Sequence, residues 1–123
     1  MSKKHDRLQF ECHAWLWNTY PETRYLAHAN FNTLCSQDKN AIGTMARLKS
    51  IGLVAGVLDY EFYWKGKLYV FDMKVGRDKL SQKQKNFIAK IQEHGGEGFE
   101  IRSLEEFQAI IDRVINSKPV IRF

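Results

Sequence analysis

The sequence predicts an α/β fold in which a small mixed sheet is flanked by helices, with the elements in the order α-β-α-β-β-α-β-α. Two neighbouring segments, 58–64 and 68–75, place large apolar residues at every second position, as strands with a buried face do. The segments around them carry apolar residues at helical spacing behind good capping residues. With 123 residues, 44% of them hydrophobic, the chain is expected to form one domain, residues 1–123.

The first helix is expected to begin at Asp6, a good N-cap residue, and to end near Tyr20. Four residues form its apolar stripe: Leu8, Cys12, Trp15 and Leu16. Glu11 interrupts this stripe, so its carboxylate should lie at or beside the buried face and should have a partner. The partner is either water or a lysine at the boundary of the core, or a metal ion.

A short strand over 24–30 and a helix over about 37–51, ended by Gly52, are expected to follow. The two alternating strands come next, separated by Lys65-Gly66. The loop is either these two residues or the four from 64 to 67. With either loop, the numbers of two paired residues always add up to the same total, so Asp59 lies directly across from Asp72. Two opposed carboxylates are destabilising unless a positive charge lies between them. Magnesium or manganese, which bind oxygen ligands, would supply that charge.

Lys74 follows Asp72 by two residues and therefore lies on the same face of the same strand. Its ammonium is within reach of the region between the two carboxylates, where it can orient a water nucleophile or neutralise phosphate charge. The alternative is an Asp–Lys pair on a solvated sheet face. The register of Asp59, together with the acid on the first helix, favours the metal site.

The next helix begins with Ser81-Gln82-Lys83-Gln84, a capping box with Ser81 as N-cap. Four basic residues lie between the end of the preceding strand and the first turns of this helix: Arg77, Lys79, Lys83 and Lys85. Positive charge at a helix N-terminus is mildly unfavourable unless a phosphate is nearby. These residues are therefore candidate DNA contacts, and the alternative is a solvated lysine face.

A strand over 98–102 and a last helix capped by Ser103 complete the fold. The inner stripe of that helix is core: Leu104, Phe107, Ile110, Ile111 and Val114. The apolar tail, 119–123, is expected to add an edge strand or to contact another subunit.

Composition limits the classes of function. Nineteen Lys and Arg against fourteen Asp and Glu give a net charge of +5, which favours a polyanionic partner. Cys12 and Cys35 lack metal-ligand spacing and indicate a reducing compartment. No signal peptide or apolar run long enough to cross a membrane is visible. A cytoplasmic protein is expected, in a bacterium or a phage-infected cell.

Three runs, GVLDY at 56–60, VFDMKV at 70–75 and KLSQKQKNFI at 79–88, together resemble the VRR-Nuc domain of the PD-(D/E)xK nuclease superfamily. The resemblance extends from about Glu11 to Phe107. It implies a restriction-endonuclease-like core. By this resemblance Lys74 would be the catalytic lysine and Gln84 the motif glutamine near the site. Four groups would be metal ligands: Glu11, Asp59, Asp72 and the Met73 carbonyl. The chain departs from the family in having Asp72 where Glu is more frequent.

The same resemblance implies a magnesium- or manganese-dependent endodeoxyribonuclease. Small VRR-Nuc proteins resemble Holliday-junction resolvases that act as homodimers, since two symmetric cuts need two sites related by a two-fold axis. Branched DNA is therefore the expected substrate, in DNA repair or recombination. Two alternatives remain open: a non-catalytic nucleic-acid-binding module, and an accessory nuclease subunit that depends on a partner protein.

Overall fold

The structure, a computed structural model, describes residues 3–30, 41–52, 54 and 56–117. Its elements in chain order are helix α1 (Lys3–Thr19), a 3-10 helix (Pro21–Thr23), strand β1 (Ala27–Ala29), helix α2 (Ala41–Ser50), strands β2 (Tyr60–Trp64) and β3 (Lys67–Met73), helix α3 (Gln82–Glu93), strand β4 (Glu97–Ile101) and helix α4 (Leu104–Asn116). The predicted fold class and order of helices and strands are confirmed. Cys35 and the tail at 119–123 lie outside the described residues.

One mixed sheet, in the order β1-β2-β3-β4, organises the fold. The first three strands pair antiparallel and β4 runs parallel to β3. Tyr60 pairs with Phe71 and Trp64 with Lys67, which is the predicted register. The turn is the two-residue one, because the pairing continues up to Trp64 and Lys67. Lys65 and Gly66 both have positive φ, 47° and 84°. Such turns match the twist of the strands that they join.

The main core lies between one face of the sheet and the helices α1 and α4. Its buried members are Leu8, Cys12, Leu16, Ala27, Tyr60, Phe62, Tyr69, Phe71, Met73, Ile101, Phe107, Ile111 and Val114. The centroid of the Phe107 ring lies 5.1 Å from the centroid of the Phe71 ring and 6.0 Å from that of the Tyr60 ring, and both contacts are edge-on. Aromatic pairs of this kind add roughly 0.5–1.5 kcal/mol beyond area burial. They hold α4 against β2, which Asp59 directly precedes, and β3, which contains Asp72.

Helix α3 covers the opposite face of the sheet over β3 and β4. A Cβ added at Gly98 would lie 2.7 Å from Ile88 Cγ1, so the helix approaches the strand more closely than any side chain allows. A Cβ at Gly56 would lie 2.7 Å from the Lys83 carbonyl oxygen, and Gly56 has φ +87°. Residues just before β2 therefore touch the first turn of α3.

Two sequence predictions need correction. Helix α1 begins at Lys3, so Asp6 lies in its first turn and is not the N-cap; an acid there still interacts favourably with the helix dipole. Strand β1 is shorter than 24–30 because Tyr25 adopts φ +74°, which interrupts an extended chain. The second helix is present over Ala41–Ser50, and its predicted start at 37–40 lies outside the described residues.

None of the helices in the described part of the chain is both long and apolar enough to cross a bilayer.

Candidate metal centre

Asp59 and Asp72 meet at the open end of the hairpin, away from its turn. Continuing the ladder by one pair beyond Tyr60 and Phe71 places the two aspartates opposite each other. Asp72 is fully buried, and the side chain of Asp59 is only 13% exposed. A hydrogen bond between the two carboxyl groups influences the pKa of both. The two groups are therefore close enough to share a proton.

Asp59 is held by two N–H donors on the same oxygen. The Met73 backbone N–H donates to Oδ2 at 3.1 Å, and His5 Nε2 lies 2.9 Å from the same atom. His5 comes from the first turns of α1 and is buried. Its bond to Asp59 is therefore formed where water is largely excluded.

Asp72 is contacted on both oxygens. The Gln84 side-chain amide donates to Oδ1 at 3.1 Å, and Lys74 Nζ lies 2.7 Å from Oδ2. The Lys74 side chain is 15% exposed, so its ammonium can still meet a ligand from solvent. The predicted proximity of Asp59, Asp72 and Lys74 matches the structure, and Gln84 joins them.

The two carboxyl groups differ in acidity. Burial and the nearby charge of Asp59 raise the pKa of Asp72 to about 6, although Lys74 opposes the rise. Burial also acts to raise the pKa of Asp59, but hydrogen bonds from His5, Asp72 and Met73 outweigh it and lower that pKa. The bond to Asp59 raises the pKa of His5 in spite of its burial. Asp59 is therefore the more acidic member of the pair, and a proton taken up by the pair goes to Asp72.

Gln84 makes hydrogen bonds both to the first turn of α3 and to Asp72. Its side-chain Oε1 accepts from the Ser81 backbone N–H at 2.9 Å, and its backbone N–H donates to Ser81 Oγ at 3.1 Å, which completes the capping box. Its amide nitrogen bonds Asp72 at the same time. One planar amide therefore connects the start of α3 to the carboxylate pair.

Glu11 is exposed, so the expectation that its carboxylate lies at or beside the buried face is wrong. The buried face of α1 runs through His5, Leu8 and Cys12, and Glu11 lies about 120° around the helix from His5 at 100° per residue. Across the described residues, no group of three or more His, Cys, Asp or Glu side chains forms a ready metal site. A role of Glu11 as metal ligand stays a prediction.

Met73 is buried, and its N–H contacts Asp59, which places its backbone beside the pair. Its carbonyl as a ligand also stays a prediction. The four basic candidates are all exposed: Arg77, Lys79, Lys83 and Lys85. Arg77 and Lys79 lie on the loop after β3, and Lys83 and Lys85 lie in the first turn of α3.

Two residues near the site were not found from the sequence. His5 precedes Leu8 by three residues and Cys12 by seven, so it continues the apolar stripe, and this spacing was the available signal. Arg102 donates to Gly76 O at 3.0 Å, to the Asp78 carbonyl and to Glu100, and it braces the loop that carries Arg77. No local pattern indicates this contact, because Arg102 lies 26 residues after Gly76.

The donor set suits a hard divalent cation. Two opposed carboxylates, one of them with a pKa raised by burial and by the other's charge, are unfavourable as a doubly ionised pair. A cation in place of the shared proton would remove that cost, and carboxylate oxygens are what magnesium and manganese prefer. Asp59 and Asp72 would hold it.

The fold is similar to that of a solved structure. A solved structure described as a VRR_NUC domain protein superposes with a TM-score of 0.74 over 94% of this chain and 90% of the other, at 15% sequence identity. No family model matches the chain, and no curated protein matches it. The expected restriction-endonuclease-like, VRR-Nuc fold is thereby confirmed.

Proposed function

We propose that this chain is a magnesium- or manganese-dependent endonuclease that hydrolyses DNA phosphodiester bonds, with branched DNA such as Holliday junctions as its substrate. The observation that carries the proposal is the contact of Lys74 with Asp72, which is fully buried and lies opposite a second carboxyl group, that of Asp59. The VRR_NUC fold supports the same conclusion.

Asp59 and Asp72 would hold the cation, and Met73 and Glu11 remain candidate further ligands. When bound there, a divalent cation lowers the pKa of a water molecule and neutralises charge on the phosphate. Lys74 orients the nucleophile and stabilises negative charge that develops on the phosphate oxygens. Gln84 keeps Asp72 in place through its bond to Oδ1.

The DNA backbone would lie along the exposed basic residues beside the site, Arg77, Lys79, Lys83 and Lys85. Each neutralised phosphate releases counterions, so binding should weaken with added salt. A homodimer would bring two such sites to the two strands of a junction that must be cut symmetrically.

The test compares cleavage of labelled four-way junctions, flaps, nicked duplexes and linear duplexes with Mg²⁺ or Mn²⁺. Lys74→Ala should lower the single-turnover cleavage rate roughly 10²–10³-fold, the usual cost of removing a group that stabilises transition-state charge. DNA binding should be retained. Lys67→Ala is the matched control, because Lys67 is an ion-paired lysine on the same strand, 3.0 Å from Glu97. It lies roughly 23 Å from Lys74 at 3.3 Å per residue.

Two outcomes would contradict the proposal. If the wild type binds branched DNA and cuts none of the substrates, the chain is a non-catalytic binding module, or an accessory subunit if a partner protein restores cleavage. If Lys74→Ala cuts as fast as the wild type, the site is wrongly placed.

A further inference from the structure

Two histidines on α1 make hydrogen bonds to consecutive residues at the start of β2. His5 Nε2 lies 2.9 Å from Asp59 Oδ2, and His13 Nδ1 lies 2.7 Å from the Tyr60 hydroxyl. The two bonds differ in what they reach. His13 meets a core phenol, whereas His5 meets a carboxylate of the candidate metal centre.

The contact of His5 restricts the orientation of Asp59. The Met73 N–H is fixed by the sheet and donates to the same oxygen, Oδ2. Two donors on one oxygen, arriving from α1 and from β3, fix the rotation of the carboxylate. Oδ1 is then the oxygen that can meet a cation shared with Asp72.

Helix α1 does not depend on His5 for its position. Leu8, Cys12 and Leu16 are all at least 93% buried and anchor the helix in the core. A change at His5 should therefore act on Asp59 before it acts on the docking of the helix.

We propose that His5 is a positioning residue of the metal centre, which holds the Asp59 carboxylate so that Oδ1 faces the cation. The inference rests on the proposed function for the cation and adds a residue from α1 to the site. Hydrogen bonds to ligating carboxylates commonly contribute 10–100-fold in metal affinity. His5 supplies such a bond to Asp59. It lies on α1, the same helix from which Glu11 was expected to contribute a metal ligand.

The experiment measures Mn²⁺ affinity without DNA, by the electron paramagnetic resonance signal of free Mn²⁺. His5→Ala should weaken binding by about 10–100-fold. His5→Gln should recover most of the affinity, because its terminal amide can donate to Asp59. His13→Gln, the matched control on the same helix, should bind within about twofold of the wild type, because its partner Tyr60 is no ligand. Far-UV circular dichroism checks that each variant is folded, and His5→Leu replaces His5→Ala if the latter is not.

Three results would overturn the inference, and they are distinguishable. Wild-type affinity in His5→Ala or His5→Leu would show that Asp59 needs no positioning. Affinity in His5→Gln as low as in His5→Ala would show that the imidazole itself is the ligand. If the wild type does not bind Mn²⁺, the metal-dependent function fails as well, whereas the first two results leave that function standing.

Discussion

Gln84 offers the sharpest test of the site, because one side chain makes two bonds that a substitution can separate. Gln84→Glu keeps an oxygen for the Ser81 N–H and so keeps the capping box. It removes the N–H that bonds Asp72 and places a carboxylate there. Gln84→Ala removes both bonds.

The magnitude follows from the burial of Asp72, which is fully inaccessible. Loss of a hydrogen bond to a buried polar group costs roughly 1–3 kcal/mol. At pH 8, where Asp72 with a pKa of about 6 is ionised, Gln84→Glu should lose that amount of unfolding free energy. At pH 5 the loss should be smaller, because the protonated Asp72 can donate to the new carboxylate.

Urea unfolding at both pH values measures the effect. The control is Gln82→Ala, whose bond to Asn86 lies on the exposed surface of the same turn and should contribute only about 0.2–0.5 kcal/mol. An unchanged stability of Gln84→Glu at pH 8, or an equal loss at pH 5 and pH 8, would refute the role of Gln84 in holding an ionisable Asp72.

Three further predictions concern the carboxylate pair and the packing around it. The pKa of Asp72 is raised from 3.8 to about 6, so the stability that the Asp72 carboxyl group contributes is full below pH 3.8 and is lost as the pH rises through 6. Mn²⁺ affinity, measured by calorimetry, should rise over the same pH range, because the cation then no longer competes with a proton on Asp72. Gly98→Ala should destabilise the fold by about 1–3 kcal/mol in urea, because the new Cβ would meet Ile88 at 2.7 Å. Burial raises the pKa of Cys12 to about 12, so in a Cys35→Ser variant the remaining thiol should react with a disulfide reagent only after unfolding.

Each of these has its own control. A Mn²⁺ affinity that does not change from pH 5 to pH 8 would contradict the shared proton. Ile88→Ala should reduce the cost of Gly98→Ala in a double-mutant cycle, and purely additive losses would place the clash elsewhere. Rapid stoichiometric labelling of native Cys12 would contradict its burial.

The hairpin was predictable because its information is local. Period-two alternation defined the two strands, and the symmetric turn at Lys65-Gly66 set the register that opposes Asp59 and Asp72. The capping box of Ser81 and Gln84 was equally readable. In each case the interacting groups are separated by a short, regular stretch of chain, so backbone geometry alone fixes their relation.

The contribution of α1 was not predictable in this way. Periodicity found the helix and most of its buried stripe, but it suggested Glu11 where the structure presents His5. The rotation of the helix about its own axis, relative to the sheet, depends on how Leu8, Cys12 and Leu16 pack in the core. Apolar spacing along the sequence specifies that rotation only to within a residue or two.

Local patterns in the sequence were enough to predict the α/β class, the order of the elements and the opposition of two aspartates beside Lys74. The contacts around them required the folded structure, because their partners are distant in the chain: His5 and Asp59 are 54 residues apart, and Arg102 and Gly76, in the loop after β3, are 26 apart. Such contacts arise when separate elements pack against a shared sheet, because packing positions side chains through the whole core and no regular spacing along the chain encodes them.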